Sequence, residues 1–496
     1  MVTRISSTGA AFGWRAGQLA GTEAISLLRL VVLAKLLAPD AFGLVAVAAV
    51  TISLFLGVSN VGMIQALVQR SSPSLDEYDA AWTVGLVRAA IVTGALVLLG
   101  PAIAALYGEM DAGPVVQVMG LRPLVIAAGS IGVARLTRTL AFRRLAFLAL
   151  PASLADAGTA IVLAPALGVW SLVTGSLVGA LVQTVLSYAL APHRPRIVRN
   201  LRAAQSLVQY GQWILFAGIV ALVATWLSQV ALSRALGAAA LGRYYVASKL
   251  AFLPSEAAAA VIGAVAFPLY ASYRGDATRS AATFDSLLAG HVILVFPVSA
   301  IIIALAPELE AALGARWTGA APATQILTAA SMVGLFSEAV TWLLMGHGRA
   351  DRAFVLQAVQ SGARLLLIWP LIRLLGVAGA ALAWFGGNVA YLVVSIVYAR
   401  DILHTGLGRG AKMRISAGII AAVAGAVTAS AVGAVIDGFP ALVLGGTIGA
   451  LAVGGALWLL DRSKALRLVE LFPWNPSWGP HAVRLSTGAN TEFPDA

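Results

Sequence analysis

One apolar stretch, Trp14 to Leu37, carries ionisable residues at a spacing that gathers them on one side of a helix. With about 100° of rotation per residue, five polar residues fall within a sector of roughly 80°. They are Arg15, Gln18, Thr22, Ser26 and Arg29. An arginine that faces lipid at the helix centre costs about 3 kcal/mol, so we expect this face to line a hydrated interior. Guanidinium groups there could bind phosphate oxygens in two-pronged pairs.

Arg15 and Lys35 lie at the two ends of the stretch, so their long side chains could equally extend to the membrane interfaces instead of lining a cavity. This alternative does not explain Arg29. Further ionisable residues interrupt other apolar segments, and each is a candidate functional residue. They are Arg88, Arg122, Asp156, Lys249, Glu256, His291, Glu338 and Arg364.

Four of these residues are candidates for coupling transport to an ion: Asp156, Glu256, His291 and Glu338. Asp156 either neutralises a nearby arginine, for example Arg29, or binds a cation, and the salt bridge is the favoured interpretation. His291 is either satisfied locally or relays a proton. Arg122 precedes Pro123, which can kink a helix, so this arginine can also bond the carbonyls that the kink frees.

The composition indicates a polytopic membrane protein. Of 496 residues, 60% are hydrophobic and only 11% are charged, so the apolar surplus must be solvated by lipid. The net charge of +12 comes from short basic clusters between apolar segments, which argues against nucleic acid as a partner. The absence of cysteine excludes disulfides, thiolate metal sites and cysteine catalysis. The first apolar segment is too long for a cleaved signal peptide.

Fourteen segments are long enough to cross a hydrocarbon layer of about 30 Å, which predicts an all-α fold. The first six lie near Trp14–Leu37, Phe42–Val68, Ala80–Tyr107, Pro114–Leu136, Ala146–Leu167 and Val169–Ala191. The next six lie near Leu207–Leu236, Leu241–Tyr270, Phe284–Leu305, Pro322–Met345, Phe354–Leu375 and Val377–Ala399. The last two lie near Ile415–Ile436 and Ala441–Leu460.

Arginine-rich loops follow the even-numbered helices, as in Arg194–Arg202, whereas the opposite connections are tight or acidic, as in Gly108–Gly113. Cytoplasmic loops retain lysine and arginine, so we expect both termini in the cytoplasm. The chain also repeats: Leu33–Ala48 aligns with Leu232–Ala247 after a shift of 199 residues. Blocks with an even number of helices give parallel repeats with a binding site between them.

The predicted organisation is therefore two six-helix lobes, two further helices and a tail. The bounds are 1–200 for the N-terminal lobe, 201–405 for the C-terminal lobe, 406–461 for helices 13 and 14, and 462–496 for a cytoplasmic tail. The sequence contains no P-loop, no HExxH motif and no long extramembrane loop. We therefore predict a carrier without catalytic residues, metal site or cofactor, rather than an ATP-driven pump or an enzyme of sugar chemistry.

Six stretches, in their order and spacing, resemble the Wzx-type polysaccharide flippases of the multidrug/oligosaccharidyl-lipid/polysaccharide exporter superfamily, and the colanic-acid and succinoglycan branch is the most similar. They are LAKLLAPDAFGLVAVA (Leu33–Ala48), GMIQALVQR (Gly62–Arg70), RLTRTLAFRRLAF (Arg135–Phe147), ALGAAALGRYYVASKLAFLP (Ala235–Pro254), AFPLYASY (Ala266–Tyr273) and LLMGHGRADRAFVLQ (Leu343–Gln357). Where relatives often carry an aspartate before the Gly-rich end of the second helix, this chain has Asn60, so coupling through that carboxylate is not implied here.

The resemblance implies transport of an undecaprenyl-pyrophosphate-linked oligosaccharide from the inner to the outer leaflet of a bacterial cytoplasmic membrane, for exopolysaccharide or O-antigen synthesis. We expect Arg15, Arg29 and Lys249 to bind the diphosphate, and Gln18, Gln212, Trp213 and Tyr244 to contact the sugars. The coupling ion, a proton or sodium, stays open. Membrane lipids, a polysaccharide polymerase and chain-length proteins are further expected partners. A multidrug exporter of the same superfamily, and a membrane polymerase or ligase, are the alternatives.

Overall fold

The computed structural model describes residues 2–59, 67, 74–193, 195–197, 212–273, 275–404, 406–436 and 438–462. All regular structure in these ranges is helical, with fourteen α-helices and a 3-10 turn at Ala315–Trp317. The first eight are α1 (Val2–Leu36), α2 (Pro39–Val58), α3 (Leu75–Tyr107), α4 (Ala112–Met119), α5 (Arg122–Ala127), α6 (Gly132–Arg138), α7 (Phe142–Leu167) and α8 (Val169–Leu190). The others are α9 (Gln212–Ser272), α10 (Ala277–Leu313), α11 (Ala320–Gly346), α12 (Ala350–Leu403), α13 (Arg409–Gly433) and α14 (Phe439–Arg462).

Ten of these helices are long and apolar enough to cross a membrane, and the count is eleven with the bent α4 to α6 segment taken as one span. Two long helices each contain two spans, because α9 breaks at Gly237 (φ 81°) and α12 at Gly376 (φ 61°). Glycine tolerates these positive φ angles. With α1 counted as a further span, the described chain agrees with the predicted fourteen spans.

Two predicted spans differ from the structure. The second was expected to continue to Val68, but α2 ends at Val58, and residues 60–66 and 68–73 lie outside the described ranges. The fourth was expected over Pro114–Leu136, with Pro123 able to kink it, but it is divided into α4, α5 and α6, and the bend of 67° lies before α6. Pro123 occupies the first turn of α5, where its missing N–H costs no helical hydrogen bond. The sharp bend therefore lies after α5 rather than at Pro123.

The described chain packs as two compact units. Unit 1 comprises Met1–Ala247, Leu313–Ala320 and Arg364–Ala383, and unit 2 comprises Ser248–Ala312, Ala321–Ala363 and Trp384–Ala496. The core of unit 2 surrounds fully buried Tyr270, Phe284 and Leu343. These units follow local packing, whereas the predicted lobes follow the sequence repeat, and the division at 200 and 405 stays a prediction.

Within unit 1, the repeated sequence segments meet in a reciprocal contact. A Cβ added to Gly43 would lie 2.0 Å from the carbonyl oxygen of Ala238, and one added to Gly242 would lie 1.8 Å from the carbonyl oxygen of Pro39. The shift of 199 residues converts Pro39 into Ala238 and Gly43 into Gly242, so the two contacts are equivalent. Small residues let membrane helices approach this closely. The contact is the arrangement expected around a two-fold axis relating parallel repeats.

Arg234, the basic residue of the second repeat, caps the end of a neighbouring helix. Its Nε donates to the carbonyl oxygen of Leu106 at 2.7 Å and its Nη2 donates to that of Ala105 at 3.0 Å. Both carbonyls lie in the last turn of α3, and that of Ala105 also accepts from the backbone N–H of Gly108 at 3.2 Å. Nearby in unit 1, the indole N–H of buried Trp317 donates to the carbonyl oxygen of Ala34 at 2.9 Å. Two side chains from the predicted C-terminal lobe thus bind carbonyl oxygens near the ends of helices in the predicted N-terminal lobe.

Candidate substrate-binding site

The polar face of α1 lies along α7. Near one end, the Arg15 guanidinium lies 5.8 Å from the centre of the Phe142 ring, and fourteen residues further along both helices Arg29 meets Asp156. The two helices therefore run in the same direction, as expected for the first and fifth spans of an alternating topology. Gly21 makes room for this contact, since a Cβ there would lie 2.8 Å from the Leu150 side chain.

Arg29 and Asp156 form an ion pair, with 3.1 Å between Nη2 of the arginine and Oδ1 of the aspartate. This is the salt bridge that the sequence analysis favoured for Asp156. The two side chains keep 25% and 26% of their surfaces exposed, so the pair is not sealed in the protein. Arg29 has five N–H donors in a planar group, and one carboxylate occupies only part of them. The pair leaves Arg29 able to contact an anion as well.

A pair of glycines on α8 positions Asp156. A Cβ added to Gly175 would lie 2.9 Å from Oδ1 of Asp156, and one added to Gly179 would lie 2.8 Å from its Cβ. Small residues four apart allow two membrane helices to approach closely. The sequence signal for this contact is the Gly-x-x-x-Gly spacing in the sixth span, which the sequence analysis did not use. Asp156 also lies within electrostatic reach of Arg122.

The other residues of the α1 face make local contacts. Arg15 donates from Nη1 to Oε1 of Gln18 at 3.0 Å, and the hydroxyl of Thr22 donates to the Gln18 carbonyl oxygen at 2.9 Å. Ser26 and Glu23 are exposed. The polar face of α1 therefore extends along the helix as predicted. Its two arginines have different partners, an amide for Arg15 and a carboxylate for Arg29.

The remaining predicted substrate residues fall into three groups. Trp213 is 42% exposed and packs edge-on against Phe216. Tyr244 is 8% exposed and lies near the buried Arg364, so its side chain packs inside unit 1. Lys249 is exposed in unit 2, and the side chain of Gln212 lies outside the described part of the chain. Their contacts with sugar or diphosphate stay predictions.

Two of the ion-coupling candidates meet in unit 2. Nε2 of His291 lies 3.9 Å from Oε2 of Glu338, and the imidazole stacks on the Trp342 indole with 5.5 Å between ring centres. The His291 side chain is fully buried, whereas 33% of the Glu338 side chain is exposed. Among the described residues, no group of three or more His, Asp or Glu side chains could hold a metal ion. Glu256 is exposed on α9, and Asn60 lies outside the described residues.

This arrangement of helices is the fold of known membrane transporters. A solved structure of the lipid II flippase MurJ, in an inward closed conformation, aligns with a TM-score of 0.67 at 13% identity, covering 89% of this chain and 97% of that one. An inward-facing multidrug resistance MATE family transporter of the MOP superfamily aligns with a TM-score of 0.59 at 16% identity, covering 80% of this chain and 96% of that one. The protein is thus a multi-pass membrane protein with the fold of this superfamily.

Comparison with known sequences assigns the protein to a family. Residues 32–322, more than half of the chain, match the family described as polysaccharide biosynthesis protein, and the chain belongs to that family. The succinoglycan biosynthesis transport protein ExoT of Rhizobium meliloti (strain 1021) is 25% identical over 370 residues, which are 74% of this chain and 72% of ExoT. The lipopolysaccharide biosynthesis protein WzxC of Escherichia coli (strain K12) is 25% identical over 380 residues, 75% of each chain. The resemblance predicted from the six stretches is confirmed.

Proposed function

We propose that this protein is a flippase that moves undecaprenyl-pyrophosphate-linked oligosaccharide units from the inner to the outer leaflet of the cytoplasmic membrane. The observation that carries the proposal is the partly exposed Arg29 on a polar face of α1. A sugar diphosphate is large, polar and anionic, so it requires a hydrated cavity with fixed cations, while its polyprenyl chain can stay in lipid. The names of ExoT and WzxC, which concern succinoglycan transport and lipopolysaccharide biosynthesis, support the same class of substrate.

The charge balance of unit 1 favours an anion over the cationic substrates of a multidrug exporter. Within the predicted apolar segments of the first six spans, two carboxylates, Glu23 and Asp156, stand against six basic residues. These are Arg15, Arg29, Lys35, Arg88, Arg122 and Arg135. Since Asp156 already pairs with Arg29, arginines remain in excess. Arginine binds phosphate oxygens through two parallel hydrogen bonds, which is the geometry that a diphosphate offers.

Transport by this protein requires a change of conformation, for which we propose alternating access of the two lobes. Parallel repeats permit such rocking about a central site. The reciprocal contact of Gly43 and Gly242 is a closely packed surface between the repeats, which this motion would have to open and close. His291 and Glu338 are the pair that we propose for coupling, because a buried imidazole next to a partly exposed carboxylate can exchange a proton with water. Polymerase and chain-length proteins would act on the exported unit.

The proposed orientation, with both termini in the cytoplasm, is testable by cysteine labelling because the chain has no cysteine of its own. Asn200, in the arginine-rich link between the lobes, lies outside the described residues. We expect Asn200→Cys to resist an impermeant maleimide in spheroplasts and to react after permeabilisation. Met110, 72% exposed in the acidic connection between α3 and α4, is the matched control, and Met110→Cys should react without permeabilisation. The reverse pattern would overturn the orientation.

The proposed function is tested by deleting the gene and analysing the lipid fraction. A strain that lacks the flippase should accumulate the complete oligosaccharide unit on its undecaprenyl diphosphate carrier, facing the cytoplasm. Complementation with the intact gene should restore surface polysaccharide. A polymerase or ligase defect gives a different result, because single units would then reach the outer leaflet. Unchanged lipid-linked intermediates, with unchanged surface polysaccharide, would contradict the proposal.

A further inference from the structure

The spanning helices of unit 2 contain a cluster of uncharged polar side chains. Its members are Gln357, Gln360 and Ser361 in the first half of α12 and Asn388 in its second half, and we call them the amide cluster. Nε2 of Gln357 donates to Oε1 of Gln360 at 2.8 Å and to the Ser361 hydroxyl at 3.2 Å. Nε2 of Gln360 donates to Oδ1 of Asn388 at 3.0 Å. The cluster therefore joins the two halves of α12 across the break at Gly376.

The amide cluster lies on the side of α12 that faces away from lipid. With about 100° of rotation per residue, its three members in the first half of the helix fall within a sector of about 100°. Val355 and Leu366 lie on the opposite side of the helix and are 40% and 81% exposed, as expected for side chains in contact with lipid. Asn388 is only 4% exposed. Polar side chains in membrane helices face the interior of the bundle or a hydrated cavity, and this cluster follows that rule.

The amide cluster also lies close to the middle of the helices that carry it. Asn388 is close to the midpoint between Gly376 and Leu403, the ends of the second half of α12. Gly334, close to the midpoint of α11, packs on it, since a Cβ there would lie 2.8 Å from Oδ1 of Asn388. Transporters built from repeats bind their substrates near the bilayer midplane. The depth of the cluster is therefore that of a substrate site.

The amide cluster keeps hydrogen-bonding groups that its own contacts do not use. A primary amide has two N–H donors and a carbonyl acceptor. Gln360 uses one N–H on Asn388, and Asn388 uses one on the Trp384 carbonyl oxygen at 3.2 Å, so each has a second N–H without a partner among the residues that the structure describes. Oε1 of Gln357 likewise accepts no hydrogen bond from the described residues. Gln357 and Gln360 are both half-buried, which leaves these groups open to a ligand.

A pair of aromatic rings borders the amide cluster. Trp384 lies one turn before Asn388 on the same side of α12, and its indole packs on the Phe252 ring of α9 with 5.1 Å between ring centres. Phe252 is one turn from Lys249, which is predicted to bind the diphosphate. A sugar ring offers hydroxyls that donate and accept hydrogen bonds, and apolar C–H faces that pack on aromatic rings. Uncharged amides beside an aromatic side chain match a sugar better than they match a phosphate.

We propose that the amide cluster and Trp384 form a site in unit 2 that binds the sugar rings of the lipid-linked oligosaccharide. The inference rests on the proposed function, and it names the residues that bind the neutral part of the same substrate. The second N–H groups of Gln360 and Asn388 donate to hydroxyl oxygens of the sugar, and Oε1 of Gln357 accepts from a sugar hydroxyl. Trp384 packs on a C–H face of the ring. These contacts carry no charge, so they recognise the glycan and not the diphosphate.

The test compares two probes, each titrated into the purified full-length protein in detergent while the melting temperature is followed. One probe is the lipid-linked oligosaccharide extracted from the deletion strain. The other is undecaprenyl diphosphate, which has the same diphosphate and tail without the sugar. Gln357→Leu and Gln360→Leu should each weaken the apparent affinity for the oligosaccharide lipid about tenfold or more, because each removes hydrogen bonds to the sugar. Both variants should bind undecaprenyl diphosphate as the wild type does.

Gln325→Leu is the matched control for these variants and should leave both affinities unchanged. Gln325 is a half-buried amide of α11 that donates to the Ile303 carbonyl oxygen at 3.1 Å and lies outside the cluster. Gln357→Leu also guards against a loss of folding, because it keeps the hydrogen bond that joins Gln360 to Asn388. Equal weakening of both probes in the cluster variants, or no weakening of either, would overturn the sugar site and leave the proposed function standing. Wild-type protein that binds neither probe would overturn the proposed function and this site with it.

Discussion

Arg29→Ala is expected to abolish polysaccharide export while most of the protein still reaches the membrane. The substitution removes the guanidinium that we propose binds the diphosphate, and it leaves Asp156 without its partner at 3.1 Å. Breaking a fully buried pair costs about 3–5 kcal/mol, but each of these side chains is about a quarter exposed, so we expect about 1–3 kcal/mol here. Arg29→Lys should retain part of the export, because an ammonium keeps the charge and loses the two-pronged contact. Surface polysaccharide and membrane protein level are measured together.

The exchanged pair, Arg29→Asp with Asp156→Arg, separates the two roles of this arginine. If Arg29 only stabilises the fold, the exchange restores the ion pair and should restore both protein level and export. If Arg29 also binds substrate, the exchange should restore the protein level and leave export low. Asp156→Asn is the matched single control, because it keeps the size of the side chain and leaves Arg29 in place. Full export from a well-expressed Arg29→Ala variant would contradict both roles.

Gly43→Leu or Gly242→Leu is expected to reduce export about tenfold or more, because either leucine forces apart the reciprocal contact of the two repeats. Even a single added carbon would lie within 2.0 Å of a backbone oxygen in both cases, and a backbone cannot rotate away as a side chain can. Overpacking of this kind costs about 1–3 kcal/mol. Thermal stability in detergent and export are measured in parallel for each variant.

The controls for these substitutions come from the same chain. Gly94→Leu adds the same side chain where nothing lies within 4 Å, and it should leave export unchanged. Because the two glycines belong to one contact, the double variant should lose less than the sum of the single losses. Normal export from Gly43→Leu would show that the contact does not have to close during transport.

The apolar segments and the residue types in the connections between them were sufficient to predict most of the fold. The tight turns near Gly237 and Gly376 were visible as gaps between apolar segments, and the structure breaks α9 and α12 at these glycines. The break in the fourth span was not predictable in the same way. It depends on hydrogen bonds from Trp82, Thr184 and Tyr188, which are distant in sequence and individually unremarkable.

The candidate site was also only partly predictable from the sequence. The periodicity of α1 identified a polar face, and the presence of Asp156 in an apolar segment suggested a partner for an arginine. That the partner is Arg29 depends on the parallel packing of α1 and α7, which no local pattern encodes. Tyr244 shows the opposite case, because an aromatic side chain near a repeat signal is as suitable for packing as for sugar binding, and the structure buries it.

The most direct test of the account is translocation by the purified protein in liposomes. Undecaprenyl-pyrophosphate-linked oligosaccharide with a fluorescent sugar is placed in both leaflets, and an impermeant reagent destroys the fluorescence that it can reach. We predict that the wild-type protein exposes the protected inner pool, and that folded Arg29→Ala protein does so no faster than protein-free liposomes. Equal rates for wild-type and protein-free liposomes, or equal rates for wild type and Arg29→Ala, would contradict the claim that Arg29 binds the diphosphate of a flipped lipid-linked glycan.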